Sequence, residues 1–273
     1  MTPVSPALNR PRSRTRTGLA TLGVALLVAL TGCGGDAAGQ SGDTLRDQDL
    51  VFENALTVCS DMPYEPFEYL ENGQPTGFDI DLVRPIAEKL DVQLDVIDVT
   101  FDDITSGTVL NEGQCDLAVS AITISGERAR VLDFSSPYFA SKQALVAPQS
   151  SGLSSLEALA GQRVGVQADT TGETFLRDFA PQGTKIVPFG DAAELTSALT
   201  DGGIEAAIFD NTVSNKIVED NPGMSVMKEF DTGEQYGMAV QKDGNIPLLR
   251  TINDVLAELR ANGEYDKIYK KYF

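Results

Sequence analysis

From residue 56 onwards the apolar pattern switches repeatedly between a strand period and a helix period, and this alternation restricts the fold more than any other feature. Residues 56–59 are a short apolar run. Ile80, Val83, Ile86, Ala87 and Leu90 then recur at helical spacing through 79–90, and Val92, Leu94 and Val96 alternate as a strand does. The run 117–122 reads as a buried strand. A second series follows: a helix over 153–160, a strand over 163–167, a helix over 171–179, a strand over 185–188, a helix over 192–200, a strand over 206–209 and a helix over 212–219. A strand over 235–240 precedes a helix striped by Leu248, Leu249, Ile252, Val255, Leu256 and Leu259, which Asn262-Gly263 stops. Alternation of this kind predicts an α/β fold of mainly parallel sheets with flanking helices, in two lobes.

The N-terminus predicts where such a body works. Arg10, Arg12, Arg14 and Arg16 precede an apolar stretch at 18–30, with no acid among them. Thirteen residues are too few to cross ~30 Å of hydrocarbon, so the stretch reads as a signal peptide over residues 1–32. It ends in Leu30-Thr31-Gly32-Cys33, which resembles a bacterial lipobox, in which cleavage leaves Cys33 as the lipidated first residue. A lipid anchor of several acyl chains, palmitate among them, would hold the protein on the extracytoplasmic face of the cell membrane. Residues 33–53, rich in Gly, Ser, Asp and Gln, read as a flexible tether.

Removing 1–32 leaves 17 basic residues against all 40 acids, a formal charge of −23. That balance argues against nucleic acid and anionic surfaces as partners, and favours cationic solutes. The chain has no histidine, and only Cys59 and Cys115 remain beside Cys33. Metal sites of the usual His/Cys kinds and Ser-His or Cys-His nucleophiles are therefore excluded. No metal and no cofactor is expected, although carboxylate catalysis stays open.

The chemistry concentrates at Ser120-Ala-Ile-Thr-Ile-Ser-Gly-Glu-Arg128, followed by Asp133-Phe-Ser-Ser-Pro-Tyr138. Ser125 suits the N-cap of a helix beginning Gly-Glu-Arg, which would leave backbone N–H groups, a Thr hydroxyl and a guanidinium at one corner. Such a corner fits a carboxylate, because Arg binds one bidentately. This segment closely resembles the signature of the polar amino-acid-binding proteins of bacterial ABC importers. Further landmarks are Asp61-Met-Pro-Tyr-Glu-Pro-Phe67, Gly77-Phe-Asp-Ile-Asp81, Gln167-Ala-Asp-Thr-Thr-Gly172, Phe209-Asp-Asn211 and the terminal segment 262–273.

The resemblance covers residues 54–273 and implies the type II periplasmic-binding-protein fold: two α/β lobes joined by a two-crossing hinge. It implies lobe one over 54–141 and 237–273 and lobe two over 142–236. A free amino acid would be captured in the cleft and delivered to the membrane permease of an ABC importer, by a protein acting as a monomer. The implied roles follow the ligand's charges. Arg128 forks the α-carboxylate, aided by the backbone of Ala121 and Thr123, the Thr123 hydroxyl and the Thr170-Thr171 loop. Asp210 accepts from the α-ammonium; capping the 212–219 helix is its alternative role. Asp61 reads the ligand side chain, while Tyr64 and Phe101 either sandwich its aliphatic part or are plain core.

With Glu65, Asp102 and Asp103 nearby and no spare cation placed beyond Lys142, a basic amino acid or glutamine is expected over an acidic one. Asp169 stands where the family often has glycine, which puts the conformation of that loop in question. In the family's sheet the strands bearing Cys59 and Cys115 are parallel neighbours with a three-residue offset, ~10 Å at the usual rise. Buried free thiols, or a bridge made possible by local distortion, both stay open. Two rival functions share the fold: a cleft enzyme resembling cyclohexadienyl dehydratases, with Glu65 or Glu173 as acid or base, and a ligand-sensing lipoprotein.

Overall fold

The computed structural model describes residues 49–273. The expected signal peptide, Cys33 and most of the expected tether lie outside the described residues, among which no helix is long and apolar enough to cross a membrane.

The first half of the chain runs β1 (Ala55–Ser60), the hairpin β2 (Tyr69–Glu71) and β3 (Gln74–Thr76), α1 (Phe78–Leu90), β4 (Gln93–Asp98), α2 (Phe101–Thr105), α3 (Thr108–Asn111), β5 (Leu117–Ala118), β6 (Leu132–Phe134) and β7 (Phe139–Pro148). The second half runs β8 (Arg163–Gln167), α4 (Thr171–Phe179), β9 (Lys185–Phe189), α5 (Ala192–Thr200), β10 (Ala206–Asp210), α6 (Asn211–Asp220), β11 (Met224–Tyr236), β12 (Ala239–Gln241), α7 (Ile246–Asn262) and α8 (Glu264–Tyr272). These build two five-stranded sheets, ordered β4-β1-β5-β12-β6 and β11-β7-β10-β8-β9. Each combines parallel pairs, β1 with β4 and β5 or β8 with β9 and β10, with antiparallel ones. The expected two-lobed architecture is present.

Five of the six residues of β1 are buried, as a strand covered on both faces must be. The apolar stripe of α1 explains its orientation: Ile80, Val83, Ile86, Ala87 and Leu90 are all buried. Gly77 opens that helix at φ 128°, where an added Cβ would sit 2.0 Å from the Phe67 carbonyl oxygen. Only glycine fits there.

The two chain crossings lie side by side. β7 and β11 pair antiparallel, with Tyr236 opposite Phe139, Gln235 opposite Ala140 and Glu234 opposite Ser141. The terminal segment packs beneath them, where the Phe273 ring lies 5.0 Å from that of Phe139 and 5.4 Å from that of Phe67. The Tyr272 hydroxyl and Lys271 ammonium both donate to Asp81 at 2.7 Å, tying α8 to α1.

Several expected elements differ. The strand over 117–122 ends at Ala118, because Ala121 takes φ 46° and gives its N–H to Asp79 at 2.8 Å instead of to a ladder. The helix expected after Ser125 is a single 3-10 turn, Arg128–Arg130, since the chain enters β6 two residues later. Ser125 Oγ does accept the Arg128 N–H, at 3.2 Å. The helix over 153–160 is likewise a 3-10 turn, Leu156–Leu159. The strand over 235–240 is two strands, β11 and β12, with Gly237 and Met238 carrying the chain from one sheet to the other. Cys59 and Cys115 form a disulfide with Cα atoms 5.8 Å apart. Cys115 stands outside β5, so the strand rise does not govern its position, and the three-residue offset does not separate the two sulfurs.

Candidate functional site

The 3-10 turn after Ser125 drives Arg128 inwards, leaving it 6% exposed. Its Nη1 donates to the Thr123 carbonyl at 2.9 Å and its Nη2 to the Asp169 carbonyl at 3.0 Å. The guanidinium carbon lies 5.1 Å from the centre of the Phe101 ring, within cation–π range. Among the described residues Arg128 forms no ion pair. Burial lowers its pKa, while the more distant charges of Asp210 and Glu234 raise it. Two of its five N–H donors are thus committed, and the fork retains capacity for an anion.

Asp210 ends β10 and stands at the N-cap of α6, yet its side chain makes no capping bond. Its carboxylate instead accepts from Tyr64 Oη at 2.9 Å, Gln143 Nε2 at 2.8 Å and Tyr236 Oη. Burial pushes its pKa up to about 6 and the Glu234 charge adds to this, against the three donors. No cation pairs with it among the described residues. Asp61 is alike: burial raises it to about 6, Asp98 and Asp191 add to the rise, and among the described residues its carboxylate accepts from one side chain, Gln167 Nε2, at 2.6 Å.

All nine residues expected from the sequence (Asp61, Tyr64, Phe101, Ala121, Thr123, Arg128, Thr170, Thr171 and Asp210) line one cavity. About 480 Å³ there is not filled by atoms, the open mouth included. Buried Arg128, buried Asp210 and partly buried Asp61, none with an ionic partner among the described residues, face the same space. Aromatic Tyr64 and Phe101 are wall residues with polar duties, Tyr64 as donor to Asp210 and Phe101 as the platform for Arg128.

The donors are distributed differently from expectation. The Ala121 N–H is taken by Asp79, so it is not free for a ligand carboxylate. The Thr170 hydroxyl is consumed at the start of α4, accepting the Glu173 N–H at 3.1 Å and donating to the Gln167 carbonyl at 2.8 Å. The hydroxyls of Thr123 and Thr171 both donate to Glu234 at 2.9 Å. The backbone N–H groups of Thr123 and Thr171 meet no acceptor among the described residues. Asp169 adopts φ 61°, the left-handed conformation glycine takes easily and Asp tolerates.

Gln143, Glu234 and Tyr236 hold or join the acids without any signal in the sequence, and Gln167 stands there only as the start of a landmark motif. Lys142 is turned away, paired with Glu229 at 3.0 Å on an exposed face. Neither Glu65 nor Glu173 lines the cavity: Glu65 is exposed near Lys216, and Glu173 accepts from the Asp169 N–H and pairs with Arg177.

The chain is similar to known proteins over most of its length. The chain is 32% identical over 255 residues to a probable histidine-binding protein of Neisseria gonorrhoeae, covering 90% of this chain and 91% of the relative. It is 31% identical over 267 residues to the ABC transporter glutamine-binding protein GlnH of Bacillus subtilis, covering 93% and 95%. Among solved structures, an ancestral arginine-binding protein bound to arginine superimposes with a TM-score of 0.76 at 39% identity, covering 81% of this chain and 98% of that one. The family model for bacterial extracellular solute-binding proteins, family 3, matches residues 56–273, and the chain belongs to that family.

Proposed function

We propose that the protein captures a free polar amino acid between its two lobes and delivers it to the membrane permease of an ABC importer. The carrying observation is a divided ion pair. Arg128 and Asp210 are both buried, neither has an ionic partner among the described residues, and both line one cavity. An unpaired buried charge is unfavourable by several kcal/mol, roughly. A zwitterion relieves both at once, its α-carboxylate on the fork of Arg128 and the free N–H groups of Thr123 and Thr171, its α-ammonium on Asp210. Because Arg128 belongs with 54–141 and 237–273 and Asp210 with 142–236, the ligand bridges the lobes and favours the closed state.

Asp61 lies in the same cavity with no cation, and Lys142 points away. An acidic side chain would meet bare negative charge there, so a basic amino acid or glutamine is the ligand class. The relatives are named as histidine-, glutamine- and arginine-binding proteins, which supports this reading. Glu65 and Glu173, the acids considered for the enzymatic alternative, do not line the cavity, which supports binding over catalysis. A thermal-shift screen against the free amino acids tests the proposal, since a ligand at 100 times its Kd stabilises by ~2.7 kcal/mol. A flat response to all of them would sink it.

The Leu30–Cys33 lipobox supports lipid anchoring to the extracytoplasmic face. Cys33→Ala should then release the protein from the membrane fraction or block maturation; unchanged retention of the mature form would count against the anchor.

A further inference from the structure

Glu234 is a carboxylate that bonds side chains lining the cavity and that the zwitterion reading leaves unused. It reaches in from β11, at the crossing, and gathers donors from both lobes: Thr123 Oγ1 and Thr171 Oγ1 at 2.9 Å, and Gln143 Nε2 at 3.1 Å. Thr232 Oγ1 adds a fourth donor at 2.9 Å. An ionised carboxylate only accepts, and a hydroxyl has one proton. Both threonine protons are therefore committed to Glu234, and each hydroxyl can still offer the cavity only acceptor capacity, that of Thr171 partly taken by Gln143 Nε2 at 3.5 Å.

We propose that Glu234 is a positioning residue that fixes the polarity of the Thr123 and Thr171 hydroxyls, making them acceptors for the ligand's α-ammonium. This rests on the zwitterion reading and deepens it. Two neighbouring groups point the same way. The Ala121 carbonyl accepts no hydrogen bond among the described residues, and Gln143 Nε2 bridges Asp210 and Glu234, holding both carboxylates on the cavity's ammonium side. The ligand carboxylate is then left to Arg128 and the two threonine backbone N–H groups, none of which Glu234 contacts by hydrogen bond. Glu234 thus separates the two ends of the zwitterion, so that hydroxyls able in principle to serve either end serve one.

The test pairs each amino acid with the analogue that lacks only its α-amino group: L-arginine with 5-guanidinopentanoic acid, and L-lysine with 6-aminohexanoic acid. Titration calorimetry on wild type, Glu234→Ala and Glu234→Gln gives the ratio of the two affinities in each protein. Freed hydroxyls can turn and donate, so the preference for the amino acid over its des-amino partner should fall tenfold or more in Glu234→Ala. The analogue itself should bind within about threefold of wild type. The isosteric Glu234→Gln should lose the preference in the same direction, and it carries the test should the alanine variant not fold. An equal loss for both members of a pair would mark Glu234 as merely structural and overturn the proposal. A gain for both would overturn it too, by showing that Glu234 competes with the ligand carboxylate. Wild type that binds an amino acid with an unchanged ratio in the variants sinks this inference alone, whereas wild type that binds no amino acid sinks the functional reading with it.

Discussion

Replacing Arg128 by methionine removes the guanidinium while keeping an unbranched apolar stem in its place, and the structure sets what this should do to binding and to folding separately. In the complex, Arg128 would be the sole cation against the ligand carboxylate, at a position only 6% exposed. Leaving that carboxylate buried and unpaired costs ~3–5 kcal/mol, a rise in Kd of roughly 150- to 5,000-fold. The ligand-free protein tells a different story. It loses two charge-assisted bonds, to the carbonyls of Thr123 and Asp169, each contributing ~1.5–3 kcal/mol. It also loses a buried charge whose desolvation opposes folding by several kcal/mol, roughly. These terms oppose each other, so ligand-free melting should move by only a few degrees, at ~2–4 °C per kcal/mol for a chain of this size. The stabilisation that ligand confers should vanish. Titration calorimetry and paired melts with and without ligand measure both. A Kd within tenfold of wild type would refute the assignment. A collapse of the ligand-free fold would instead show that Arg128 is chiefly structural. Arg128→Lys should also bind poorly, because an ammonium cannot reproduce the planar fork.

The sequence revealed more of the site's membership than of its wiring. Asp61, Arg128 and Asp210 are legible because each lies in a motif that carries the family resemblance; local spacing alone favours a helix cap for Asp210. Helix α1 and helix α7 were legible for a related reason: their apolar stripes are long enough to fix one buried face. Glu234 and Gln143 were not legible, since they meet only through the pairing of β7 with β11. That pairing has a register shift between Phe230 and Glu234, which moves the side chains out of simple alternation. Tyr236 was hidden similarly, because a strand read through 235–240 conceals the point where the chain changes sheets. The disulfide shows the limit from the other side. Strand geometry does not apply to Cys115, which lies in the approach to β5. Hydroxyl polarity is further still from sequence, since it depends on which carboxylate arrives across the fold.

Two further outcomes follow from the acids that line the cavity. Asp61→Asn should weaken arginine and lysine more than glutamine, because only the cationic side chains lose an ion pair; equal losses in a competition assay would place Asp61 away from the ligand side chain. The pH dependence has a definite sign. Burial is the main cause that raises Asp61 and Asp210 to about 6, so both take up protons in the ligand-free protein as the pH falls through that value. A cationic ligand needs both ionised, and at pH 5 each site would be about nine-tenths protonated, weakening apparent affinity by roughly 100-fold relative to pH 8. Binding at pH 5 should release protons, which calorimetry in buffers of different ionisation enthalpy detects. Folding runs the opposite way. Both carboxyls have folded pKa values above their unfolded ones, so the stability they contribute is fully present below ~4 and lost as the pH rises through about 6. Buried Glu68 and Asp79, also raised by desolvation, push in the same direction. The ligand-free protein should therefore melt higher at pH 5 than at pH 7.5, while added arginine should raise the melting point more at pH 7.5. Arginine affinity that is unchanged between these two pH values would mean that neither Asp61 nor Asp210 receives the ligand's positive charge.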